Sequence, residues 1–345
     1  LPIADFRLVV GLTGVITVDK NSGRSAQLAI GNRQSAIAFL FPGQGSQHPG
    51  MGKDLAENFP AARQVFEEAD TALGFALSQL CFEGPAEELQ LTENTQPAML
   101  TTSVAALRAL EAEGFPQPAF VAGHSLGEYS ALVCAGSLSL TDAVRTVRAR
   151  GRFMQEAVPV GVGAMAAILG ADLDLVMTVC AEAAQGQVCS AANINSPNQV
   201  VIAGDTAAID RAIELLKERG ARRALKLNVS APFHCSLMQP AQERLAVELS
   251  RITFENLAIP LVTNVDARAI NLGTQARDSL VRQVSQPVLW LESVEFLISQ
   301  GVQSLIEIGP GKVLSGLVRQ IDRTLRCGNV EDKASLGHTR EMVSG

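Results

Sequence analysis

Residues 120–131, FVAGHSLGEYSA, constrain the fold more than any other stretch of the chain. An apolar run ends in Gly123, a serine stands two residues from a glycine on each side, and a helical pattern follows at once. Gly-x-Ser-x-Gly in that setting is a nucleophile elbow, a strained strand-to-helix turn that projects the serine hydroxyl and leaves no room for side chains at Gly123 and Gly127. Ser125 is the candidate nucleophile. The helix that begins there points unpaired backbone N–H groups at the reacting centre, where they can stabilise an oxyanion.

The surrounding pattern fits such a turn. A strand at 35–41 runs into the Gly-rich FPGQGSQ loop at 41–47. That loop is not a dinucleotide fingerprint, because His48 stands at the third glycine position, and it lacks the Gly-Lys-Ser/Thr of a phosphate loop. It reads instead as backbone brought close to something, with the Ser125 site as one candidate. Helical spacing recurs at 61–73, 96–113, 126–134 and 140–157, with Asp142 near the start of the last. Alternating strands and helices predict an α/β fold built on a mostly parallel sheet.

The middle of the chain has another rhythm. Strands at 163–169, 188–193, 199–203 and 222–227 and helices at 173–184 and 206–219 give the order β-α-β-β-α-β, a ferredoxin-like unit. The expected organisation is an extension at 1–35, loosely attached and flexible, a discontinuous large α/β domain at 36–160 and 229–325, a small inserted subdomain at 161–228, and a polar tail at 326–345. Within 1–35, the apolar segment 8–18 lacks the flanks of a signal peptide, and a transit-peptide reading stays open.

Composition limits the function classes. A net charge of −7 argues against nucleic acid as the main partner, and no apolar run approaches the roughly 18 residues that span a membrane. The six cysteines show neither a C-x-x-C pair nor metal-ligand spacing and read as reduced thiols of a cytoplasmic protein.

A serine hydroxyl needs a base, and histidine is the usual one. Of the four histidines, His338 falls in the tail, and His124 is adjacent to Ser125, so the two side chains diverge at the turn. His234, in a loop before a helix, is the preferred base, and His48 stays open as a second candidate. Cys235 reads as a buried thiol beside it. No acid between Ser125 and His234 is signalled as a triad member: Asp142, Asp172, Asp174, Asp205 and Asp210 all fall on helical or subdomain segments. A backbone carbonyl can hold the imidazole tautomer instead.

Six stretches together resemble the malonyl-CoA:acyl carrier protein transacylases of fatty acid synthesis: FPGQGSQ at 41–47, GHSLGEYSAL at 123–132, RGRFMQEAVP at 150–159, NINSPNQVVIAG at 193–204, PFHCSLMQPA at 232–241 and IGPGKVLSGL at 308–317. The resemblance covers 36–323. It implies an α/β-hydrolase-like large domain with a ferredoxin-like small one, a site between them, Ser125 as nucleophile and His234 as base. It further implies that the Gln283 carbonyl orients His234, that the Gln44 and Leu126 amides form the oxyanion hole, and that Arg150 binds the malonyl carboxylate. By spacing alone Arg150 would be a solvated helix-end arginine. Met154 and Phe233 are candidates for the acyl pocket, Phe233 with ordinary loop packing as the alternative. The implied substrates are malonyl-CoA and phosphopantetheinylated acyl carrier protein, with no metal or prosthetic group. A monomer is expected. Arg222, Arg223 and Lys226 are candidate carrier-protein contacts, or simply a solvated edge. The rival readings are a trans-acting polyketide acyltransferase, a serine hydrolase or thioesterase, and a non-catalytic carrier-binding module.

Overall fold

The strand that enters the elbow is buried on both faces, and so is its neighbour. The computed structural model describes residues 36–344; the extension expected over 1–35 lies outside the described residues. The chain begins with β1 (Ala36–Phe41), the Gly-rich loop, and helices α1 (Lys53–Asn58), α2 (Pro60–Leu73), α3 (Leu77–Glu83), α4 (Ala86–Leu89) and α5 (Thr92–Ala112). Then come β2 (Phe120–Gly123), the elbow, α6 (Gly127–Cys134) and α7 (Leu140–Glu156). The middle holds β3 (Gly163–Leu169), α8 (Leu173–Ala184), β4 (Cys189–Ser196), β5 (Gln199–Asp205), α9 (Thr206–Glu218) and β6 (Arg223–Lys226). The remainder is α10 (Gln239–Leu249), β7 (Leu261–Val262), β8 (Ala269–Ile270), α11 (Gly273–Gln283), β9 (Val288–Leu289), α12 (Trp290–Ser299), β10 (Val302–Ile308), α13 (Val313–Ile321), β11 (Arg326–Val330) and α14 (Lys333–Ser344).

These strands form two mixed sheets. The first has the order β11-β10-β1-β2-β7-β8 and is parallel except for β8. Alternate side chains along its central strands serve different cores: Phe39, Phe41 and Val121 pack on one face, and Ala38, Leu40, Phe120 and Ala122 on the other with Trp290 and Val294 of α12 and Val318 of α13. Continuous apolar runs in β1 and β2 are what a sheet covered by helices on both faces requires. Phe41 lies opposite Gly123 in register, so the Gly-rich loop and the elbow leave adjacent strands at the same carboxyl edge.

The second sheet has the order β6-β3-β5-β4-β9, antiparallel except where β4 meets β9. One face buries Ala166, Ile168, Val200 and Ile202 against α8 and α9; the other buries Met165, Val201 and Ala203 against Cys235. The segment that carries His234 is thereby clamped to this sheet.

Two expectations need correction. The sheet of the middle segment is not complete within 161–228, because its fifth strand, β9, comes from residues 288–289. The tail expected at 326–345 is, over its described residues 326–344, part of the fold: β11 pairs with β10 at the sheet edge, and α14 buries Leu336 and Thr339. An edge strand is held chiefly by backbone hydrogen bonds and needs few apolar side chains, so the polar sequence gave no periodic sign of it.

Candidate active site

Close packing of backbone on backbone builds the elbow. A Cβ at Gly123 would stand 2.0 Å from the carbonyl carbon of Gly127, and one at Gly43 would stand 2.6 Å from the carbonyl oxygen of His124. The first contact makes the turn; the second brings the Gly-rich loop against it. Ser125 has φ 51° and His234 has φ 61°, both in the left-handed region that non-glycine residues rarely enter. Strain at both residues of one hydrogen-bonded pair is a mark of a functional site.

The pair itself is well formed. Ser125 Oγ lies 2.7 Å from His234 Nε2, and His234 Nδ1 lies 2.8 Å from the carbonyl oxygen of Gln283. A carbonyl can only accept, so Nδ1 carries the proton and Nε2 is left to accept from the serine hydroxyl. Gln283 is the last residue of α11, where helix carbonyls have no partner of their own. His234 is 3 % exposed, and its pKa is lowered to about 3, first by burial and then by the positive charge of Arg150. The imidazole is therefore neutral at neutral pH, with Nε2 free to accept a proton.

Arg150 sits on the opposite side of the hydroxyl. In α7 it falls on the buried stripe with Ala143, Val147 and Met154, while Arg145 and Arg152 face solvent. It is 1 % exposed. Its Nη1 donates to Gln96 Oε1 at 2.8 Å, and its Nη2 donates to Gln283 Oε1 at 3.0 Å and to Ser125 Oγ at 3.1 Å. These acceptors are uncharged, and Nε has no hydrogen-bond partner among the described residues. Burial lowers the Arg150 pKa. The guanidinium remains charged, because an arginine does not give up its proton inside a protein.

The other sequence candidates take distinct places. Leu126 precedes the first turn of α6, and Gln44 lies in the loop that packs on the elbow; the structure gives neither amide a protein acceptor among the described residues. Met154 is 1 % exposed and accepts weakly from Gln96 Nε2, 3.9 Å from its Sδ, so it supports the residue that holds Arg150. Phe233 is half-buried between the main core and the inner face of the second sheet. His48 is exposed and donates from Nδ1 to Ser46 O at 3.0 Å, within its own loop. His124 points away from the hydroxyl, with Nε2 2.9 Å from Asn195 Oδ1. Burial pushes the Cys235 thiol up to about 11, and it donates to Pro232 O, the inert state expected of it. Among the described residues no group of three or more His, Cys, Asp or Glu side chains is placed to hold a metal.

A family model described as an acyl transferase domain matches residues 38–344. The malonyl CoA-acyl carrier protein transacylase of Escherichia coli is 52 % identical over 306 residues, 89 % of this chain and 99 % of that protein. The transacylase of Bacillus subtilis is 51 % identical, covering 88 % of this chain and 95 % of its own. This chain belongs to the malonyl CoA-acyl carrier protein transacylase family. Among solved structures, the transacylase from Coxiella burnetii superposes with a TM-score of 0.89 at 42 % identity, covering 90 % of this chain and 99 % of its own. A malonyl-transacylase in complex with its type II polyketide acyl-carrier protein superposes at 0.87 with 50 % identity, covering 89 % and 100 %.

In this member of the transacylase family, a set of polar residues behind the site escaped sequence reading. Asn264 accepts the Ser125 N–H at 2.7 Å on Oδ1 and donates from Nδ2 to Gly123 O at 2.6 Å, stapling both ends of the turn. Gln96 holds Arg150, and Asn195 ties the second sheet to the elbow through His124. Glu128 is fully buried in α6. One signal was available for Glu128: the stretch after Gly127 has no polar face, so a carboxylate there had to be buried and partnered.

Proposed function

We propose that this protein transfers the malonyl group of malonyl-CoA to the pantetheine thiol of acyl carrier protein through a malonyl-serine intermediate, supplying fatty acid synthesis in the cytoplasm. The observation that carries this reading is Arg150: a buried guanidinium beside the nucleophile, with neutral acceptors and an unused Nε. Burying a cation without a counter-charge is costly, and a substrate with a carboxylate near its thioester supplies what is missing. A planar guanidinium can grip that carboxylate through two hydrogen bonds. An acetyl group has nothing to offer it.

The chemistry follows from the hydrogen bonds. His234 Nε2 takes the Ser125 proton as Oγ attacks the thioester carbonyl. The negative charge moves onto the carbonyl oxygen, where the Gln44 and Leu126 amides donate to it. The Gln283 carbonyl, at the negative end of α11, stabilises the imidazolium that forms. Collapse of the adduct expels CoA thiolate, which takes the proton from His234, leaving the malonyl ester on Ser125. In the second half, His234 takes the proton of the carrier-protein thiol. The thiolate attacks the ester, and Ser125 leaves with that proton.

In the same reading, the first sheet with its helices is an α/β-hydrolase-like catalytic domain and 161–228 is a ferredoxin-like subdomain, supported by its β-α-β-β-α-β order. Phe233, beside the base, lines the acyl pocket.

Intact-mass measurement after mixing with malonyl-CoA tests the reading. The wild type should gain one malonyl group and Ser125→Ala none. No gain on the wild type, or an equal gain on the variant, overturns it.

A further inference from the structure

Arg150 must be held without being neutralised, and Gln283 does the holding. That amide could face either way, so something must decide its orientation. Its Nε2 donates to Glu128 Oε2 at 2.8 Å, to Ser125 O at 2.9 Å and at longer range to Asn264 Oδ1 at 3.3 Å, while its Oε1 accepts from Arg150 Nη2. Reversed, Oε1 would confront three acceptors, Glu128 Oε2 the nearest of them, and Nε2 would confront a guanidinium N–H.

Glu128 is 0 % exposed, in the first turn of α6. Its Oε2 also accepts the Asn264 N–H at 3.1 Å, and its Oε1 lies 3.3 Å from Ser279 Oγ. The Ser279 hydroxyl makes a shorter bond, at 2.8 Å, to Ala276 O. The carboxyl thus reaches α11 and the loop after β7 but makes no hydrogen bond to Arg150. Direct contact would quench the charge that a substrate carboxylate needs; one intervening amide holds the guanidinium and leaves its charge available.

We propose that Glu128 is a positioning residue for acyl-group selection: by accepting from Gln283 Nε2 it fixes the amide that presents Arg150 to the substrate carboxylate. The proposal rests on Arg150 being the carboxylate anchor. It assigns Glu128 no part in the acyl-transfer chemistry, because His234 is held by the Gln283 backbone carbonyl, which an amide reversal does not move.

The test is single-turnover acylation of Ser125 by malonyl-CoA and by acetyl-CoA, read as the ratio of the two kcat/KM values. In Glu128→Ala the malonyl/acetyl ratio should fall by about tenfold or more, the scale of a lost hydrogen bond to a charged group, acetyl acylation falling much less than malonyl acylation. Glu128→Gln keeps the volume and an acceptor oxygen for Gln283 and Asn264, and should restore the ratio to within about threefold of wild type. An unchanged ratio in Glu128→Ala, or equal loss of both substrates in the folded variant, overturns the proposal. Where Glu128→Ala does not fold, Glu128→Gln decides: a collapsed ratio at normal thermal stability overturns the proposal, because the acceptor is still present. Arg150→Ala, run in parallel, separates the claims. A ratio unchanged there overturns the anchor reading itself, whereas a ratio that collapses there but holds in Glu128→Ala overturns the Glu128 proposal alone.

Discussion

The two sides of the Ser125 hydroxyl are built from different materials. On one side stands His234, whose outer nitrogen ends on a helix-terminal carbonyl at 2.8 Å. On the other stands Arg150, held by the side-chain amides of Gln96 and Gln283. The base is thus oriented by main chain, which any residue at 283 supplies, whereas the cation is held by side chains that substitution can remove. Under the proposed function the difference separates reactivity from selectivity: one is anchored in the backbone, the other in a network of replaceable amides.

The largest expected effect lies on the base side. His234→Ala should slow Ser125 acylation by about 10²–10⁴-fold, the range of general-base catalysis, for malonyl-CoA and acetyl-CoA alike, in a rapid-quench assay. A selective loss of one substrate would break the distinction. Gln283→Ala should do the reverse. The carbonyl remains but the Arg150 acceptor is gone, so malonyl acylation should fall by about tenfold while acetyl acylation holds; equal losses would mean that the side chain also supports the base.

The last effect concerns stability and leaves the rates aside. Burial raises the Glu128 pKa from 4.5 to about 7, and the hydrogen bonds from the Asn264 N–H, Gln283 and Ser279, followed by the Arg150 charge, offset this only in part. Between those values the native state holds a proton that the unfolded state has released, so this group's contribution to stability falls as pH rises and levels off above about 7. Glu128→Gln removes that loss. Its advantage over wild type in urea unfolding should be small near pH 4.5 and grow toward pH 8, to on the order of 3 kcal/mol. An advantage independent of pH would show that the carboxyl stays ionised throughout, and would recast the Arg150 side as charge-paired.

Much of the reactive side was legible in the sequence. Steric exclusion forces glycine at 123 and 127, and so the elbow is written in residue types. Four histidines left His234 as the preferred base, with His48 still open. The carbonyl of Gln283 could not be read from residues, since every residue has one; it came from the family resemblance. Behind both sides, Gln96, Asn195 and Asn264 are ordinary polar residues whose default reading is a solvated surface, and only the apolar surroundings of Glu128 in α6 marked it as buried. Only burial, which depends on contacts distant in sequence, gives them a role. The same limit hid β9, two residues paired with the distant β4, while β8, also two residues, and the edge strand β11 were too short or too polar to show a period of their own.

The central claim is that Arg150 makes a generic serine acyl-transfer site into a malonyl-transfer site. The direct measurement is the paired transfer of malonyl and acetyl groups from CoA to holo acyl carrier protein by Arg150→Ala. Malonyl transfer should fall by about 10²-fold, the scale of a lost bidentate ion pair, while acetyl transfer is kept or raised. Equal loss of both would contradict the account and make Arg150 a structural residue.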